Sequence, residues 1–119
     1  MRSWLTKHER DYDRIEYNVR IGTARDPGPA FPEYVRHTAR LSSQLRLDAV
    51  AWQGKQPTIL ELKLWATATA VQQLAIYGAV WREDYPAQPA PRLLLVAIGA
   101  EQGVAETAAA ANITLEVLS

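Results

Sequence analysis

The 119-residue chain has no cysteine, and only one methionine and one phenylalanine. Without cysteine it can build neither a disulfide framework nor a thiolate zinc site, and a thiol nucleophile is excluded; any metal must be held by oxygen or histidine. It also lacks net charge, because thirteen Lys/Arg cancel thirteen Asp/Glu. Bulk positive charge is therefore no argument for nucleic-acid binding. No apolar run approaches the ~18 residues of a membrane span, and the opening MRSWLTKHERDYDR holds no apolar core of signal-peptide length. The expectation is a cytoplasmic location, or a virion assembled in the cytoplasm.

What is there is ordinary globular material, 48% apolar and 22% charged, in a length that suits one domain over residues 1–119. A chain of this size buries roughly 65% of its unfolded surface, enough for a single core. The charge is unevenly spread. Residues 1–60 carry ten Lys/Arg against seven Asp/Glu, and residues 61–119 carry three against six. Between Glu33 and Asp48 there is no acid, while Arg36, His37, Arg40 and Arg46 fall there. A local basic patch is compatible with the neutral total.

Along the chain, residues 1–14 read as an exposed arm or short helix. IEYNVRIG, 15–22, alternates Ile15, Tyr17, Val19 and Ile21 with polar residues and predicts a half-buried strand with those four on one side. TARDPGPAFP is a loop, and Pro32 with Glu33 opens a helix predicted over 32–44. LRLDAVAW, 45–52, and TILELKLW, 58–65, are strands joined by the turn QGKQP. Thr67 or Thr69 caps a helix running to about Arg82. RLLLVAIGA, 92–100, is an apolar run suited to a strand buried on both faces. EQGVAETAAAAN is helical with Asn112 as its C-cap, and ITLEVLS is a final strand. The result is an α/β domain, a mixed central sheet flanked by helices.

The chemistry concentrates on two of these strands. Residues i and i+2 share a strand face, so Glu61 and Lys63 point the same way as Ile59, opposite to Leu60, Leu62 and Leu64. A hairpin turning near 54–56 sets Asp48 opposite about Glu61 to Lys63. Two carboxylates and an amine on one face suit a hard divalent cation such as Mg2+, and phosphodiester hydrolysis is the reaction that fits them. On spacing alone, a solvated strand face with a surface ion pair is the better account of Glu61 and Lys63.

Asp48, twelve intervening residues, ELK, and then a helix containing QLAIY together resemble the PD-(D/E)XK nuclease superfamily, over about residues 32–100. The closest resemblance is to the branch with a Q-L-x-x-Y motif on the helix after the catalytic strand, as in exonuclease domains of bacterial recombination helicases. The resemblance implies a restriction-endonuclease-like core of helix, three strands, helix, strand, and a metal-dependent nuclease acting on DNA. It makes Asp48 and Glu61 ligands of Mg2+ or Mn2+, with the carbonyl of Leu62 as a further ligand, and makes Lys63 the catalytic lysine. Gln73 and Tyr77, at i and i+4 on one helix face, would flank the site. Leu47 stands where the family name places proline. The acid that many members carry on the first helix is matched by Glu33, Glu9 or Glu16, and the sequence does not choose. Arg36, Arg40 and Arg46 are candidates for contact with DNA phosphates. The domain is short for this superfamily, so grip on DNA would come from a homo-oligomer or a partner protein. The other reading is an inactive nuclease-like fold reused as a structural or assembly protein, for instance in a phage particle or nucleoprotein complex. Of the four tryptophans, packing in the core or an interface is the plainer role and base stacking the alternative.

Overall fold

Alternating apolar residues build five strands, and the order in which they join explains where the polar groups collect. The computed structural model describes residues 2–22, 28–37 and 45–118. Helix α1 (Arg2–His8) and a short 3-10 turn (Glu9–Asp11) lead into β1 (Arg14–Ile21). A helical segment α2 over 33–37 follows, then β2 (Leu45–Gln53), β3 (Gln56–Ala66), helix α3 (Ala68–Asp84), β4 (Arg92–Ala100), helix α4 (Val104–Ala110) and β5 (Ile113–Val117). The sheet order is β1-β2-β3-β4-β5. β1, β2 and β3 are antiparallel neighbours, whereas β3, β4 and β5 run parallel.

Local chemistry accounts for the joints. Gln53 pairs with Gln56 across a two-residue turn in which Gly54 has φ of 60°, a left-handed first central position that glycine adopts without a Cβ clash. α3 is the crossover that parallel β3 and β4 require. The Thr67 side chain accepts from the Ala70 N–H at 3.1 Å and caps its first turn. At Gly78 a Cβ would stand 3.1 Å from the Leu93 side chain, so glycine lets the helix lie close on the sheet. Asn112, with φ of 59°, ends the α4 segment one residue beyond its C-cap Ala111.

The sheet is covered on both faces. Leu74, Val71 and Trp81 of α3 and Val104 and Ala108 of α4 bury Ile21, Leu47, Val50, Ile59 and Leu95 on one side. On the other, Trp4 of α1 lies over Ala49, Ala51, Leu60 and Val96. Of the two readings of residues 1–14, the short helix is the one the structure has, docked through Trp4. A lone tryptophan among charges anchors it: Trp4 Nε1 donates to Glu116 Oε2 at 2.9 Å and the ring stacks on His8. From α1 the order is helix, strand, short helix, two strands, helix, strand. Of the helix predicted over 32–44, residues 33–37 are helical and 38–44 lie outside the described residues.

β1 departs from its predicted alternation. Ile15 packs on the α1 side, yet Val19 and Ile21 pack on the α3 side. Asn18, with φ of 52°, lies between them. β2 turns over at the residue opposite, with Ala49 and Ala51 on the α1 side and Leu47 on the α3 side, while the register continues from Tyr17↔Ala49 to Val19↔Leu47. Asparagine tolerates the left-handed region because its short amide can bond locally. The residue at the corresponding kink of β2 is Asp48. Replacing Asn18 with glycine should leave stability nearly unchanged, whereas Asn18→Val should cost about 1–3 kcal/mol in urea denaturation. Equal stability of the valine variant would contradict this account of the kink.

Candidate active site

β2 and β3 hydrogen-bond only between Gln53↔Gln56 and Ala49↔Leu60. Beyond that point β2 continues alongside β1 to Leu45, and β3 continues alongside β4 to Ala66. The two strands part, and the next pair in their register is Asp48 with Glu61. Sequence spacing left a choice of Glu61 to Lys63 for the partner of Asp48; the register settles on Glu61. Asp48 Oδ2 accepts the Leu62 N–H at 3.0 Å, so a side chain takes over where the ladder stops. The N–H and C=O of a strand residue point to the same neighbour. The Leu62 carbonyl therefore aims into the same opening as the Asp48 carboxylate.

Glu61 is 4% exposed, which removes the reading of a solvated surface pair. Its Oε1 lies 3.6 Å from Lys63 Nζ. Its Oε2 is buried with no hydrogen-bond partner among the described residues, and the Glu61 carboxyl lies beside that of Asp48. Burial pushes the Glu61 carboxyl up to about 7, the negative charge of Asp48 adds to the rise, and Lys63 opposes it. Tyr77 feels the same cluster. Its phenol is raised first by burial and then by the charges of Glu61 and Asp48, so α3 brings it beside both carboxylates. Gln73 sits one turn earlier on α3 and is exposed.

Two carboxylates and a backbone carbonyl facing one opening make an all-oxygen donor set, the kind that hard divalent cations take. A buried carboxylate oxygen without a donor is satisfied by a proton or by a cation. Among the described residues no group of three His, Cys, Asp or Glu comes together. The three acids considered for a second ion do not join the pair: Glu16 accepts from Trp52 Nε1 at 2.7 Å, Glu33 lies 3.6 Å from Arg36, and Glu9 is in the 3-10 turn. α1 itself carries no acid. Of the candidate phosphate contacts, Arg46 lies directly across the ladder from Arg20, Arg36 pairs with Glu33, and Arg40 is outside the described residues. Two features had no sequence signal beyond the residue types themselves, namely the Asn18 kink and the Asp48 bond to the Leu62 amide.

No protein-family model matches the chain, and no curated protein matches it. Solved structures do. An EndoMS protein in complex with double-stranded DNA superposes with a TM-score of 0.59 at 16% identity, covering 100% of this chain and 43% of that one. A repair endonuclease from Pyrococcus abyssi gives a TM-score of 0.60 at 19% identity, covering 100% of this chain and 45% of that one. The chain shares with these structures its fold, a mixed five-stranded sheet flanked by helices. The chain spans less than half the length of these two structures. No helix among the described residues is long and apolar enough to cross a membrane.

The Glu61 carboxyl makes a pH prediction. A carboxyl near 7 in the folded domain and 4.5 ordinarily binds its proton more tightly when folded. Its stabilising contribution is complete below about pH 4.5 and is lost as pH rises through 7, a change on the order of 3 kcal/mol at most. In metal-free buffer the melting temperature should fall between pH 5 and 8, and Glu61→Gln should flatten that fall. An identical profile in the two proteins would rule out Glu61 as its source.

Proposed function

We propose that this domain is a divalent-cation-dependent nuclease that hydrolyses DNA phosphodiester bonds at the opening between β2 and β3. The observation that carries the reading is the buried Glu61 carboxyl, whose Oε2 has no donor among the described residues and which lies beside a second carboxylate, Asp48. The residues fit the group: Asp48, Glu61 and the Leu62 carbonyl would hold one Mg2+ or Mn2+. When bound, such an ion supplies Lewis-acid stabilisation of a phosphoryl oxygen and acidifies water.

The chain's own side chains supply the rest. Lys63 keeps its ammonium 3.6 Å from Glu61 while its side chain remains 39% exposed, so it reaches from the buried carboxylates toward the strand that is cut. There it donates hydrogen bonds to the attacking water or to the oxygen on which negative charge grows. Tyr77 closes the α3 side of the opening, and Gln73, one turn away, is positioned to contact the nucleic acid. That pairing supports the Q-L-x-x-Y branch of the PD-(D/E)XK superfamily. Two acids with no third beside them among the described residues support a single ion.

DNA as the substrate draws support from the likeness to an EndoMS–DNA complex and a repair endonuclease. Arg46 with Arg20 opposite it, two residues from Asp48, and Arg36 and Arg40 are the candidates for phosphate contact. A second copy or a partner protein is the proposed source of further grip on DNA.

With Mg2+ or Mn2+ the purified domain should cut DNA, and Lys63→Ala should lower the rate by roughly 10²–10⁴-fold with an unchanged circular dichroism spectrum. Glu61→Gln should abolish the dependence on metal along with cleavage. Wild type that fails to cut single-stranded, duplex and branched DNA would leave the structural role as the better account.

A further inference from the structure

The C-terminal ends of β3 and β4 carry an apolar patch that neither helical layer covers. Leu64 is 72% exposed, Trp65 57%, and Ile98, on the adjacent strand, 53%. Leu64 and Trp65 are consecutive, so in an alternating strand they point to opposite faces; exposed apolar side chains therefore stand on both faces of the sheet beside the buried Ala66. The α1-side cluster takes in Leu60, Leu62 and Val96 but neither Leu64 nor Ile98, and α3, which starts at Ala68, packs on Ala66 but not on Trp65. Trp65 differs from the other tryptophans. Trp4, Trp52 and Trp81 are 4%, 8% and 3% exposed.

The indole of Trp65 is also held in place. It lies across Gly99, its partner on β4, where an added Cβ would overlap ring atoms Cζ3 and Cε3. A wider residue at 99 would lift the ring off the strand. The result is a fixed aromatic plate two residues beyond Lys63, about 7 Å along the strand at ordinary β rise, within the reach of one nucleotide from the site. On β3 itself the one basic residue is Lys63, and the arginines proposed for phosphate contact lie on other elements. A neutral domain needs another source of affinity for a polyanion, and stacking on an aromatic ring supplies it without regard to sequence.

We infer that Trp65 is the stacking platform for an unpaired DNA base adjacent to the phosphodiester held at Asp48, Glu61 and Lys63. This rests on the nuclease reading for its address, and it adds a preference: the site engages a single strand, or a duplex locally opened, over intact duplex. Gly99 is the positioning residue that keeps the ring flat.

The test uses the whole chain and a short single-stranded oligonucleotide, with Ca2+ replacing Mg2+ to keep the strand whole. Binding should quench part of the tryptophan emission and remove its access to iodide. Trp65→Ala should weaken binding about tenfold or more, the range expected for one stacked base. Trp65→Phe should recover most of that loss, and Gly99→Ala, which keeps the indole but displaces it, should behave like Trp65→Ala. A strand with abasic positions should be bound equally weakly by wild type and Trp65→Ala. Wild-type affinity in Trp65→Ala, or emission unmoved by DNA, overturns the inference. So does self-association of wild type that shields Trp65 without DNA, which would assign the patch to a protein contact. Cleavage that depends on Lys63 but not on Trp65 sinks stacking alone. Stacking without any Lys63-dependent cleavage keeps it and sinks the nuclease reading.

Discussion

The Asp48 carboxylate accepting the Leu62 amide, at 3.0 Å, is the interaction on which the site depends. Antiparallel strands that part would ordinarily leave ladder groups without partners. Here one side chain closes the gap and fixes the angle at which β2 and β3 diverge. The same bond orients the Asp48 oxygens against Glu61, turns the Leu62 carbonyl into the opening, and leaves Lys63 as the next residue facing out. The kink at Asn18, directly across from Asp48, allows β1 and β2 to reverse faces together. Without that reversal Asp48 and Leu47 could not sit as they do, with Leu47 packed under α3.

The arrangement is costly to the free domain. Glu61 is buried against a like charge with one cation at 3.6 Å, and one of its oxygens has no donor. Placing a carboxylate there works against folding, and a packed core elsewhere offsets it: Leu74, Ile59, Leu95 and Val71 are all buried in the cluster under α3. Local conflict surrounded by well-satisfied packing is what a site shaped for a ligand looks like, since strain of this kind persists only where the surrounding structure over-determines it. Tyr77 belongs to both parts, packed against the core cluster and raised by the two carboxylates.

Much of this was legible in the residues. Period-two runs located the strands, Thr67 and the prolines bounded the helices, and the spacing of Asp48, Glu61 and Lys63 named one cluster. What escaped was whatever depended on one backbone angle or one distant contact. The alternation of Ile15 to Ile21 gave no sign that Asn18 would adopt positive φ, because asparagine accepts an extended conformation as readily. The charged N-terminus concealed Trp4, whose burial depends on Glu116 at the other end of the chain. After Arg92, RLLLVAIGA is uniformly apolar, yet its burial is complete only over Leu95–Ala97; Ile98 is exposed because neither helical layer among the described residues packs on it, a matter of layer length and not of composition. Neutral total charge concealed an aromatic surface beside the site.

The paired carboxylates at the parting of β2 and β3 are the proposed cation site. Calorimetric titration of Mn2+ into the metal-free domain tests it without reference to any substrate. The account predicts one ion bound per chain, and no saturable binding in Glu61→Gln that remains folded. Absence of binding by the wild type, or equal binding by the two proteins, would contradict it.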